Sequence, residues 1–148
     1  MINHFDRIAW ILAGVLAVVA GFHAGAHGQP SARAIDGDTF EVAGERVRIR
    51  GVDTPELKSK GREKDVALQA KKELQGLLTG SFSVVRTGKD KYGRTVADVV
   101  IGRTNVADLL IEKGLGRPYL YKLPQARQDE LTAAQCRARA ARVGIWAK

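Results

Sequence analysis

Apolar and polar positions change period along the chain, and the changes mark out its elements. Ile8 to Phe22 is an uninterrupted apolar run. From Ala32 the spacing becomes two: Phe40 and Val42 point one way, as do Val47 and Ile49, with charged residues between them, the signature of half-buried strands. A hairpin through Ala43-Gly44-Glu45 would join the two runs. Helical spacing takes over at about Glu63, with Val66, Ala70, Leu74, Leu77 and Leu78 on one stripe and Gly80 as its close. Ser81 to Arg86 and Thr95 to Ile101 alternate again around the turn-rich segment Thr87 to Arg94, which predicts a second hairpin. Asn105 is placed to cap a short helix with Val106, Leu109 and Leu110 inward, ending at Gly114. Arg117 to Tyr121 reads as extended. A last helix from about Gln125 to Arg142 carries Leu131, Ala134, Ala138 and Ala141 on one face, with Gly144 as its stop and Ile145-Trp146 folding back to the core. Strands, helix, hairpin and two helices in that order imply an α+β fold, mainly β: a small Greek-key barrel with helices on one side.

The amino-terminal run has a different meaning. It follows a weakly basic start containing Arg7, is short for a membrane span, and leads into Ala24-Gly25-Ala26, the small-x-small pattern at which signal peptides are cut. Residues 1–26 are therefore expected to be a signal peptide, 27–31 a linker and 32–148 one domain, in a protein that is secreted or periplasmic. The alternative is an uncleaved membrane anchor through residues 8–26. A chain of 148 residues holds one compact domain, not two of ordinary size.

Charge narrows the partners. Lys and Arg number 24 against 16 for Asp and Glu, a net +8, which favours a polyanion such as nucleic acid or an anionic membrane surface. Cys136 is the sole cysteine: an internal disulfide and a cysteine zinc site are excluded, and its alanine-rich surroundings predict a small, partly buried thiol. Against this basic background the stretch Ile35 to Glu56 concentrates acid. Asp36, Asp38, Asp53 and Glu56 flank Arg46-Val47-Arg48-Ile49-Arg50. On extended chain Asp36 and Asp38 leave the same face, and Asp53 and Glu56 bracket the turn at Pro55. Paired as a hairpin, both acidic ends reach one rim. Carboxylates without His or Cys suit a hard divalent ion, calcium or magnesium. An EF-hand loop is excluded, since counting from Asp36 its fifth and twelfth positions would be Phe40 and Val47. Arg46 and Arg50 read as a solvated strand face.

The segments AIDGDT (Ala34 to Thr39), RIRGVDTPE (Arg48 to Glu56) and DKYGR (Asp90 to Arg94), with Gly114-Leu115, Tyr119-Leu120-Tyr121 and a terminal GIW, resemble the thermonuclease, or staphylococcal nuclease, family in content and order over nearly the whole chain after the leader. That resemblance implies a five-stranded OB-type Greek-key barrel with three α-helices and a calcium-dependent nuclease acting on DNA and/or RNA. It implies metal ligation by Asp38, Asp53 and the backbone carbonyl of Thr54, and catalysis by Arg48, Arg94 and Glu56. It also implies nucleotide contacts from Tyr92, Tyr119 and Tyr121. The loops after Asp38 and Glu56 look shorter than the family pattern, and one residue is missing between Gly114 and Tyr119.

Those residue types suit the chemistry. Attack of water on a phosphodiester builds charge on the nonbridging oxygens, which a divalent ion and two arginine forks can clamp. Glu56 could activate that water, and aromatic rings accept any base. A monomer is expected. The alternative is a noncatalytic OB module that only binds nucleic acid; such a module has no need of carboxylates facing a polyanion.

Overall fold

The computed structural model describes residues 31–147. The signal peptide expected over 1–26, and the linker up to residue 30, lie outside the described residues. The elements follow in the order β1 (Ala32–Ala34), β2 (Thr39–Val42), β3 (Glu45–Ile49), β4 (Val52–Asp53), α1 (Arg62–Leu77), β5 (Ser83–Lys89), β6 (Thr95–Ile101), β7 (Thr104–Asn105), α2 (Val106–Glu112), β8 (Arg117–Pro118), α3 (Gln125–Ala141) and a 3-10 turn (Gly144–Trp146).

Five strands hydrogen-bond in the order β1-β2-β3-β6-β5, β7 pairs the end of β6, and β4 pairs β8 separately. All pairs are antiparallel except β3 with β6. A parallel pair needs a crossover, and α1 with β5 supplies it. The result is an α+β, OB-type arrangement of five principal strands with three α-helices, as the sequence implied. Ala43 and Gly44 both have positive φ, 50° and 77°, the type I′ geometry that matches strand twist. Val42 and Glu45 face each other across that two-residue turn, so Glu45 opens β3 and is not part of the turn.

Alternation puts Phe40, Val42, Val47, Ile49, Ala97 and Val99 on the inner face, where they meet Ala70 and Leu74 of α1 and Val106, Leu110 and Ile111 of α2. Burying each large side chain of that set contributes about 1.5–3 kcal/mol, which fixes the sheet on its helices. Asn105 caps α2 as expected, its side chain accepting from the Ala107 amide. Several details differ from the sequence reading. α1 ends at Leu77 with Leu78 as its cap, short of Gly80. In α2 the four buried residues are Val106, Ala107, Leu110 and Ile111, with Leu109 half-buried. α3 stops at Ala141 because Arg142 turns left-handed (φ 52°), and Ala141 is exposed. Cys136 is also exposed, on the outer side of α3: the buried stripe of that helix is Leu131, Ala134 and Ala138, and Cys136 falls two residues off it. Gly114 and Gly144 pack backbone to backbone, the Ile145 amide donating to the Gly114 carbonyl at 2.9 Å. A Cβ on Gly144 would lie 2.0 Å from the Gly114 oxygen, so this joint between the chain's end and the α2–β8 turn requires glycine.

Candidate active site

The acidic loop between β1 and β2 is a bend, not extended chain. Its carboxylates therefore do different jobs. Asp36 turns back, its Oδ1 accepting from the Asp38 amide at 3.1 Å, while Asp38 points inward and is only 6% exposed. Gly37 allows the bend to seat: a Cβ there would lie 2.6 Å from the Ala70 Cβ of α1 and from Thr54 Oγ1.

Asp38 is almost fully partnered. Its Oδ2 accepts from the Thr54 amide at 2.8 Å and from Thr54 Oγ1 at 3.1 Å. Its Oδ1 accepts from Thr39 Oγ1 at 3.2 Å and lies 3.2 Å from Arg48 Nη1. Desolvation nevertheless outweighs the Arg48 charge and the Thr54 hydrogen bond, and with Asp36 adding repulsion the Asp38 carboxyl is pushed up to about 6. Arg48 and the Thr54 hydrogen bonds thus offset only part of the cost of burying this carboxylate.

Arg48 sits on the outward face of β3 and is clamped from four sides. Nη1 donates to the Val52 and Ile49 carbonyls at 2.7 and 3.0 Å, and Nη2 to Asp53 Oδ1 at 2.9 Å. Asp53 is held in β4 by pairing with β8, Asp53 opposite Arg117, and its side chain is 65% exposed. Asp38 and Asp53 thus converge on the two terminal nitrogens of one guanidinium, and Thr54 lies against Asp38. Among the described residues no group of three or more His, Cys, Asp or Glu gathers to hold a metal. The two carboxylates at this rim are hard oxygen ligands, which fit a partly hydrated hard divalent ion and not a soft one.

Arg94 reaches the same point from the β5–β6 hairpin. Its Nε donates to Asp90 Oδ2 at 2.7 Å, and Nη1 to Thr39 Oγ1 at 3.4 Å. Asp90 Oδ1 meanwhile accepts from the Tyr92 and Arg94 amides at 2.9 and 3.0 Å, so one carboxylate folds the turn and aims the arginine. Desolvation works to raise the Asp90 carboxyl, but the hydrogen bonds from Arg94 and the two amides together hold it below its usual value. The Thr39 hydroxyl, hydrogen-bonded to both Asp38 and Arg94, links the acidic rim to the second arginine.

Outside these groups opens a cleft of about 680 Å³ lined by Arg48, Asp53, Arg94, Tyr92, Tyr119 and Tyr121, among others. The three tyrosines are 71%, 51% and 63% exposed. Tyr119 and Tyr121 present rings 6.2 Å apart, tilted by 48°, and Lys122 Nζ stands 5.1 Å from the Tyr121 centroid. Glu56 is exposed and lines a separate cavity of about 340 Å³ with Arg46, Tyr92, Gly93 and Arg94. Direct contacts therefore join Asp38, Thr54, Arg48, Asp53 and, through Thr39, Arg94, and Tyr92, Tyr119 and Tyr121 share a cleft with the arginines; Glu56 lines the second cavity, which shares only Tyr92 and Arg94 with that cleft.

Three contributors were not assigned a role from sequence. Asp90 was legible in principle, since an acid four residues before Arg94 in a turn is a local pattern. Thr39 was not, because its link to Arg94 depends on how the two hairpins meet. Arg50 was misread as a solvated strand face: it forms a two-point pair with Asp98, Nε to Oδ1 at 3.1 Å and Nη2 to Oδ2 at 2.5 Å, through the β3–β6 pairing that sequence spacing does not reveal.

The family described as Staphylococcal nuclease homologue matches residues 46–148. A thermonuclease of Staphylococcus hyicus is 31% identical over 122 residues, covering 77% of this chain and 72% of its own. Endonuclease YncB of Bacillus subtilis is 33% identical over 127 residues, covering 78% of this chain and 60% of its own. A protein of Capnoides sempervirens named "Uncharacterized 38.1 kDa protein" is 35% identical over 104 residues, 69% of this chain but 28% of that protein. The chain thus spans only part of the longer relatives.

Proposed function

Because the chain belongs to the staphylococcal nuclease family, we propose that it is a calcium-dependent nuclease that hydrolyses phosphodiester bonds of DNA and/or RNA with low sequence specificity. The observation that supports this most directly is the convergence of Asp38, Asp53, Arg48 and Arg94 at one rim. A mere binding surface for a polyanion gains nothing from carboxylates there.

In this reading Asp38, Asp53 and the Thr54 carbonyl would hold calcium, which when bound would supply a Lewis acid to the phosphodiester. Arg48 and Arg94 bind the phosphate through planar forks and stabilise the charge that grows on it. Their preorganisation supports the role: Val52, Ile49 and Asp90 fix both guanidinium groups before substrate arrives. Glu56 accepts the proton of the attacking water as its oxygen bonds to phosphorus, and the departing oxygen is protonated from solvent. Tyr92, Tyr119 and Tyr121 offer ring faces to the bases, which explains the tolerance of sequence. The protein acts as a monomer, secreted or periplasmic after removal of residues 1–26. Among the described residues no helix is long and apolar enough to cross a membrane.

Incubation of the protein with single-stranded DNA and RNA, first with calcium and then with chelator, tests the reading. Cleavage that requires calcium is expected; binding without cleavage in either condition would replace the enzyme with a noncatalytic nucleic-acid-binding module.

A further inference from the structure

Three arginines alternate along the outer face of β3 and its end, and two are held in ion pairs: Arg48 with Asp38 and Asp53, Arg50 with Asp98. Arg46 is exposed and makes no ion pair with any described residue. Its cross-strand neighbour on β2, Glu41, is engaged by Arg33 instead. Arg46 opens onto the 340 Å³ cavity with Glu56, Tyr92, Gly93 and Arg94; Arg94 is already paired with Asp90, so Arg46 brings to that cavity a guanidinium with no ion-pair partner among the described residues, a fork open to an anion. Tyr92 and Arg94 also line the 680 Å³ cleft, so they form a ridge with a cavity on each side.

We infer that Arg46 is a phosphate-binding residue for the part of the substrate strand that leaves the reacting phosphate on the Glu56 side, opposite the cleft of Tyr119 and Tyr121. This rests on the reading of the site as a phosphodiester-cleaving one and extends it to the neighbouring nucleotide. Spacing supports it. Arg46 and Arg48 are two residues apart on the same face of one strand, about 6.6 Å along it, a separation comparable to one nucleotide step of an extended single strand. A chain crossing the ridge with one phosphate at Arg48 and Arg94 therefore brings the next phosphate to Arg46. The free fork can take two of its oxygens at once, and because it touches only backbone it adds affinity without choosing a base.

The test compares Arg46→Gln and Arg46→Lys with Arg103→Gln, which removes an equal charge from the exposed β6–β7 turn. Binding is read by fluorescence anisotropy with calcium chelated, using a dinucleotide with a single phosphodiester and a single-stranded oligonucleotide long enough to cross both cavities. Arg46→Gln should weaken the oligonucleotide about tenfold, flatten its log K against log salt slope by about 0.7, and leave the dinucleotide unchanged. Arg46→Lys should recover part of the loss, and Arg103→Gln should match the parent protein. Equal weakening of both ligands, or an Arg46→Gln protein indistinguishable from Arg103→Gln, overturns the subsite. A parallel assay of the parent protein with calcium keeps the outcomes apart: absence of cleavage removes the nuclease reading, while the binding comparison still decides Arg46.

Discussion

At the scale of single residues, the two arginines assigned to the phosphate differ in what else they do. Arg48 satisfies the Ile49 and Val52 carbonyls as well as two carboxylates, whereas Arg94 is held by Asp90 and touches the Thr39 hydroxyl. Replacing either with Lys keeps the charge and loses the fork, so each variant should lose about a hundredfold or more in single-turnover rate at saturating calcium, with a much smaller change in substrate affinity. Stability separates them. Arg48→Lys leaves buried or half-buried carbonyls short of a donor and should cost about 1–3 kcal/mol in a denaturant titration; Arg94→Lys should unfold close to the parent midpoint. Equal rates for Arg94→Lys and the parent protein would remove Arg94 from the reaction.

At the scale of elements, the site depends on β3, β5 and β6 staying in register, and one side chain ties all three. Glu45, at the start of β3, accepts from Arg86 of β5 at 2.6 Å and from Thr95 of β6 at 2.6 Å. The hydrogen bonds from Arg86 first, and then from Thr95, lower the Glu45 carboxyl from 4.5 to about 2. A depressed folded-state value means that the unfolded chain binds more protons in that window, so the stabilisation is fully present above pH 4.5 and is lost as pH falls toward 2. The parent protein should therefore exceed Glu45→Gln in urea midpoint at pH 6, and the gap should narrow steadily as pH drops toward 2. A gap that stays constant across that range would show that the charge of Glu45 contributes nothing.

At the scale of the whole molecule, a net charge of +8 opposes compaction by self-repulsion, and the acidic rim adds a buried carboxylate, Asp38, whose desolvation Arg48 offsets only in part. Calcium should therefore act on folding as well as on cleavage. A ligand that binds only the folded state stabilises by about 2.7 kcal/mol at a hundred times its dissociation constant, a rise in melting temperature on the order of 10 °C for a domain of this size. The expected result is a calcium-dependent melting curve for the parent protein and a calcium-independent one for Asp38→Asn. A calcium response that persists in Asp38→Asn would place the ion elsewhere, whatever the activity assay reports.

Local signals in the sequence determined what local physics controls. Alternation at Phe40 and Val42 and at Val47 and Ile49 selects the core face of two strands because side chains on a strand point alternately to its two sides. Asn105 caps α2 because its side chain reaches an amide two residues on. The motif segments likewise named the candidate site residues, since each motif is a short stretch whose chemistry is carried within it. Tertiary structure decided everything that depends on which strand lies beside which. The parallel pairing of β3 with β6 put Arg50 against Asp98 and not in solvent. The meeting of two hairpins set the Thr39 hydroxyl between Asp38 and Arg94. The fit of the Gly37 bend against Ala70 and Thr54 turned Asp38 inward and Asp36 back on its own loop. The deciding contacts among these, Arg50 with Asp98, Thr54 with Asp38 and Arg94 with Thr39, join residues 16 to 55 positions apart, and a pattern read along one dimension carries no term for the packing that brings them together.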